Sequence, residues 1–230
     1  MDNLSSDLNA SQHPKTTFPL TPSLSPSRGE GGGEEEDCFG MLTGVEIRRK
    51  IVHLATLIIP AGYAQTSEET VLIFLIPFFL CYLSVDLLRH FHSGLASLFR
   101  KYFFGKVLRE EENPTLMGST YFLFSAILTI LLFPKSIAIV SLLILILSDT
   151  AAALVGKGIG KIPVFSKTVE GSVAFCLSSL LIVWMYPNLN LLSGFLGALG
   201  ATIAEVLPIG VDDNLTIPIV AGTIMFFVGG

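Results

Sequence analysis

The chain reads as a series of apolar runs separated by short polar connectors, preceded by a stretch with no such rhythm. The runs fall at residues 51–64, 71–88, 116–133, 136–156, 172–186, 191–207 and 215–228. Nearly uncharged segments of roughly 17–20 residues are what a helix needs to cross about 30 Å of hydrocarbon. The pattern predicts an all-α polytopic integral membrane protein with about seven transmembrane helices. The run at 51–64 is short for a full crossing, so flanking residues are expected to complete it. Between the second and third runs the pattern changes. There Arg89, Arg100, Lys101, Lys106 and Arg109 interleave with Leu95, Leu98, Phe99, Phe103 and Phe104, which predicts an amphipathic helix on an anionic leaflet. The sixth run contains GFLGALGA, a small-residue sequence that permits close helix packing.

Composition agrees with this pattern. Mean hydropathy is +0.67, and 14% of residues are charged, against about 25% in soluble domains. Residues 1–40, with TPSLSPSRGEGGGEEE, are rich in Pro, Ser, Gly and Glu and are expected to form a disordered low-complexity tail. The abrupt change near Met41 suggests that translation begins there, leaving 41–230 as the membrane-embedded domain. The first forty residues have no apolar core of a secretory leader. The net charge of −5 comes from acids clustered in a few loops, so it points to no nucleic-acid partner. Cys38, Cys81 and Cys176 have no paired spacing and are read as small apolar residues.

The distribution of charge sets an orientation. With the N-terminus in the cytoplasm, Arg48, Arg49, Lys50, Arg89, Arg100, Lys101, Lys106, Arg109, Lys157, Lys161 and Lys167 fall on the cytoplasmic side and Lys135 on the other. The positive-inside rule therefore favours seven spans with a cytoplasmic N-terminus. The same arrangement gathers the polar clusters on one face: Arg48–Lys50, Glu110–Glu112, Asp149, the stretch from Lys157 to Glu170, Glu205, and Asp212–Asn214.

Acids, lysines and glycines on one face suit a metal–polyphosphate site. Mg²⁺ takes hard oxygen ligands, usually one or two carboxylates plus substrate phosphates. Asp149, Glu170, Glu205, Asp212 and Asp213 supply carboxylates. Arg49, Lys50, Lys157, Lys161 and Lys167 can neutralise phosphate oxygens. Asp149 and Gly156 lie seven apart, on one face of a helix, and His53 stands one turn beyond Arg49. An acid at the edge of a membrane run is a functional candidate in its own right. The segment GKGIGKI satisfies neither the Walker A pattern nor GxGxxG, so a nucleotide would have to be held in another way.

Several segments together, RRKIVH, LREEE-NPTLMGSTYF, SDTAAALVGKGIGK, SKTVEGSVAF and DDNLTIPIVAG, resemble the CTP-dependent lipid kinases. That family includes dolichol kinase, phytol kinase and the CTP-type diacylglycerol kinase, and is distantly related to phosphatidate cytidylyltransferase. The resemblance covers residues 45–230. It implies transfer of the γ-phosphate of CTP to a membrane alcohol (polyprenol, phytol or diacylglycerol), with Mg²⁺ or another divalent cation. It singles out Arg49, Lys50, Asp149 and Gly156, and places Lys167, Glu170, Asp213 and Asn214 in the later motifs.

On this reading Asp149, Lys167 and Glu170 are catalytic. Arg49, Lys50, Gly156, Lys157, Lys161 and Asn214 bind the nucleotide, and Asp149, Asp212 and Asp213 hold the metal. Compared with the yeast and plant members, the chain has no long N-terminal membrane extension. That implies a minimal prokaryotic version in the inner membrane, with its site on the cytoplasmic face. Two alternatives differ in kind. A phosphatidate cytidylyltransferase would want a K-R-x4-K-D run and a G-G-x-x-D-R segment, where this chain has SKTVEGS and DDNLTIP. A transporter would want broken helices in matching halves, and none is evident.

Overall fold

The computed structural model describes residues 44–91 and 116–229. The expectations for the tail at 1–40, for most of the amphipathic segment and for Glu110–Glu112 lie outside the described residues.

Each apolar run forms a helix or a pair of helices. The first is split into α1 (Gly44–Ala55) and α2 (Ile58–Gln65). The break comes where the Thr56 and Leu57 N–H groups bond three residues back, to the His53 and Leu54 carbonyls, and the Thr56 hydroxyl also donates to His53. A threonine hydroxyl competing for a backbone carbonyl is a known way to interrupt a helix. Helix α3 (Glu68–Phe91) is the longest uninterrupted one among the described residues. After the residues outside the description come α4 (Gly118–Leu132) and, past the Pro134 turn, α5 (Lys135–Leu143). A π-helical turn, Ile144–Ser148, joins α5 to α6 (Asp149–Ile159). The chain ends with α7 (Val169–Met185), α8 (Leu191–Val206) and α9 (Asp213–Gly229).

Among the described residues, two stretches are long and apolar enough to cross a membrane by length and composition, Glu68–Leu88 and Lys135–Ile159, and four further apolar helices are shorter. The described chain is mostly helical, as expected, with one small hairpin besides. Strands β1 (Pro163–Val164) and β2 (Lys167–Thr168) pair antiparallel between α6 and α7. Two residues per strand are too few to show an alternating pattern in sequence.

The core gathers where α4, α5, the π turn, α7 and α9 meet, around Phe122, Ile130, Ile144, Leu145, Ile146, Phe175, Ile217 and Met225. The π turn is enclosed, with Ile144, Leu145, Ile146 and Ser148 fully buried. Helices α8 and α9 approach closely because of the glycines in GFLGALGA. A Cβ on Gly197 would lie 2.5 Å from Met225 Cγ, and one on Gly200 would lie 2.1 Å from Ile224 Cδ1. By contrast α3 exposes the large apolar side chains Ile73, Phe74 and Phe78.

Candidate active site

Two lysine–carboxylate clusters and an aspartate–asparagine turn build the site. The first cluster joins α1 to the start of α6. Lys50 Nζ donates to Asp149 Oδ2 at 2.6 Å and to the Asp149 carbonyl at 3.2 Å. The lysine side chain is only 6% exposed and the aspartate 23%, so the pair is shielded from water on the lysine side and open on the acid side. His53, one helical turn beyond Lys50, lies in the same contact. Its Nε2 is 3.6 Å from Asp149 Oδ2 and 3.5 Å from the Leu145 carbonyl. The ring stands edge-on to Phe122.

The π turn positions this acid. A widened turn rotates everything after it about the helix axis relative to a regular continuation, and such turns recur at functional sites. The turn is pinned from the other side by the Ser179 hydroxyl of α7, which donates to Ser148 Oγ at 2.9 Å.

The second cluster joins the hairpin to α8 and α9. Lys167, on β2, places Nζ 2.7 Å from Asp213 Oδ2 and 2.9 Å from Glu205 Oε1. Glu205 is 2% exposed, and its other oxygen accepts from the Ser172 hydroxyl at 3.0 Å. Burial pulls the Lys167 ammonium down, but the bonds and charges of Asp213 and Glu205 outweigh it and hold the group above the usual lysine value. Lys167 is therefore cationic throughout the neutral range. Its stabilising contribution is complete below the ordinary lysine pKa and is lost only as pH rises through the raised value. Next to it, Thr168 caps α7 by accepting the Gly171 N–H.

The third part is the turn into α9. Asp212 Oδ1 accepts from the backbone N–H and the side-chain amide of Asn214, at 2.9 and 2.7 Å. Burial pushes the Asp212 carboxyl above its usual value, and the negative charges of Asp213 and Asp149 add to this against the Asn214 bonds. Lys167 in turn acts electrostatically on Asp149. The three parts therefore share one electrostatic neighbourhood. Gly118, at the start of α4, leaves room beside this turn: a Cβ there would lie 3.2 Å from Asn214 Nδ2 and 3.7 Å from Asp212 Oδ2. The α4 terminus is fixed by the fully buried Asp86, which accepts the Met117 N–H and the Thr120 hydroxyl.

The structure thus brings together Lys50, Asp149, Lys167, Asp212, Asp213 and Asn214. Other expected site residues sit differently. Gly156 serves packing, since a Cβ there would lie 2.8 Å from Thr168 Oγ1 and 3.5 Å from Gly171 Cα. Glu170 accepts the Ile162 N–H; backbone N–H groups, its own first and then those of Lys161 and Ile162, hold its carboxyl below the usual range. Lys157 and Lys161 are exposed, and Arg49 is half-buried.

Sequence reasoning counted Glu205 among the available carboxylates and placed His53 beside Arg49 without giving either a partner, and it gave Gly118 no role. Glu205 was visible as a lone acid closing an apolar run. Gly118 lies within the NPTLMGSTYF motif.

Asp149, Asp212 and Asp213 carry the hard oxygens that Mg²⁺ prefers. Among the described residues, however, no three His, Cys, Asp or Glu side chains are grouped to hold an ion. Asp149 and Asp213 are already paired with lysines. A ready-made protein cage for the metal is not formed by these residues.

No family model matches the chain, and no solved structure matches it. Among curated proteins, it is similar to an uncharacterized protein of Rickettsia prowazekii, 34% identical over 186 residues that span 76% of this chain and 90% of the relative. It is also similar to CTP-dependent diacylglycerol kinase 1 of Schizosaccharomyces pombe, 27% identical over 80% of this chain and 93% of that one. The enzyme of the same name from Saccharomyces cerevisiae is 26% identical over 84% and 77%. Two such matches along most of the chain support its membership of the CTP-dependent lipid kinase family.

Proposed function

We propose that this membrane kinase transfers the γ-phosphate of CTP to the hydroxyl of a lipid alcohol at the cytoplasmic face of the inner membrane, with seven crossings and the N-terminus inside. Diacylglycerol is the favoured acceptor, because two of its relatives carry that substrate in their names. The observation that carries the reading is the convergence of Lys50–Asp149 and Lys167–Glu205–Asp213 from distant parts of the chain.

Phosphoryl transfer asks the protein chiefly to position the reactants and spread charge. Lys50 and Lys167 supply two cations to the phosphate oxygens, and Arg49 a third. Asp149 fixes Lys50, and Glu205 with Asp213 fixes Lys167, so the cations need little reorganisation when charge develops. The acceptor hydroxyl attacks phosphorus as the bond to the β-phosphate oxygen breaks; CDP departs with that oxygen, and the hydroxyl proton passes to a phosphate oxygen and on to solvent. Asp212 and Asp213 would hold a divalent cation, which would supply neutralising charge to the nucleotide phosphates. Asn214 orients Asp212 for that contact. The loose transition state demands little of a general base, and no residue is assigned that role.

Purified protein given CTP labelled at the γ or the α position, with diacylglycerol, a polyprenol and phytol in turn, tests the proposal. Label from the γ position in the lipid phosphate is expected. Label from the α position would instead mean cytidylyl transfer, and uptake into vesicles without any labelled lipid would mean transport.

A further inference from the structure

The hairpin between α6 and α7 has a surface that the phosphate-transfer site does not use. Ile159, Ile162 and Phe165 are 67%, 57% and 69% exposed. Ile162 and Phe165 lie in the connector, outside the helices where lipid-facing side chains are ordinary. Phe165 is the one non-glycine among the described residues with a positive φ, +53°, a conformation disfavoured for a bulky residue. Packing within the chain does not account for it, because the side chain is mostly exposed. Lys157 and Lys161 are exposed on the same segment.

The length of the preceding helix places this segment. Lys135–Ile159 has 25 residues, about 37 Å at 1.5 Å per residue, against roughly 30 Å of hydrocarbon. Its last turns emerge among the headgroups. The connector at 160–168 is too short to carry the tip far before α7 returns to the bundle. Large apolar side chains flanked by lysines at that depth match an anionic interface, with apolar groups at the acyl boundary and ammonium groups on lipid phosphates.

We infer that the 157–165 segment is a membrane-docking tip, with Ile162 and Phe165 inserted at the headgroup boundary and Lys157 and Lys161 on anionic lipid headgroups. The inference rests on the membrane reading of the chain and not on its chemistry. Because β2 carries Lys167 two residues after Phe165, docking ties the second lysine cluster to the leaflet from which a lipid acceptor must come. It also gives Lys157 and Lys161 a partner other than the nucleotide.

The test reads position and does not require turnover. The chain has one tryptophan, Trp184. Replacing it (Trp184→Phe) and adding Phe165→Trp gives a reporter at the tip, with Ile162→Trp as an independent second. Each full-length protein is reconstituted in phosphatidylcholine vesicles with or without phosphatidylglycerol, and circular dichroism checks that the helices are retained. Blue-shifted emission quenched by brominated lipid, more strongly with phosphatidylglycerol and less at high salt, is expected at both positions. Water-like emission quenched by iodide and indifferent to brominated lipid would overturn the inference. So would emission shielded from both quenchers, which would mean that the tip packs on protein. A protein that inserts its tip but fails to phosphorylate lipid would leave this inference standing and remove only the kinase proposal.

Discussion

The two lysine clusters look alike in composition but differ in balance. Lys50 meets one carboxylate, Asp149, and the pair is close to neutral. Lys167 meets two, Asp213 and the buried Glu205, so that cluster carries an excess negative charge, with Asp212 alongside. The first needs nothing more to be stable. The second has a carboxylate to spare, on the side where the Asp212–Asn214 turn faces Gly118. On the proposed function, a cation accompanying the nucleotide is better matched to the second cluster.

The largest effect should come from breaking the neutral pair. Asp149→Asn is expected to lower labelled-phosphate transfer by roughly 10²–10³-fold, with the protein still found in the membrane fraction. Undiminished activity would remove Asp149 from the account.

Next in size is Lys167→Met, which leaves the buried Glu205 without its cation. Losing one partner of a buried pair costs roughly 3–5 kcal/mol, so both the melting temperature and activity should fall. Adding Glu205→Gln should recover much of the stability and none of the activity. If the double substitution restored turnover, Lys167 would be a structural residue only.

Gly156→Ala should cost about 1–3 kcal/mol through overpacking, because the new methyl lies 2.8 Å from the hydroxyl that caps α7. A thermal melt reads this directly, and an unchanged melt would mean that α6 and α7 separate freely.

The smallest change is expected from Gly118→Ala, whose methyl would lie 3.2 Å from Asn214 Nδ2. It should raise KM for the metal–nucleotide several-fold with little shift in Tm. An equal loss in kcat alone would assign Gly118 a different role.

Much of this was legible from sequence. Apolar runs gave the helices because side-chain periodicity and length are local properties. Asp149 stood out because an acid beside such a run is costly. The pairings were not legible, because Lys50 and Asp149 are 99 residues apart and Lys167 and Asp213 are 46 apart. Sequence offered more carboxylates than partners, and only packing decides among them. The π turn is invisible in ILILS, since any apolar residues satisfy a buried helix of either kind. Gly156 was expected to let a phosphate approach, yet the contact that requires it is with Thr168 and Gly171. A glycine's closeness to a ligand and its closeness to a neighbouring helix leave the same trace in a sequence.

The most direct measurement of the central claim follows the phosphate itself. Purified protein in vesicles containing diacylglycerol is given γ-labelled CTP and Mg²⁺, and the lipids are separated. The account expects label in phosphatidate, lost with Asp149→Asn and with removal of the divalent ion. Label entering lipid only from the α position, or transfer that persists in Asp149→Asn, would contradict it.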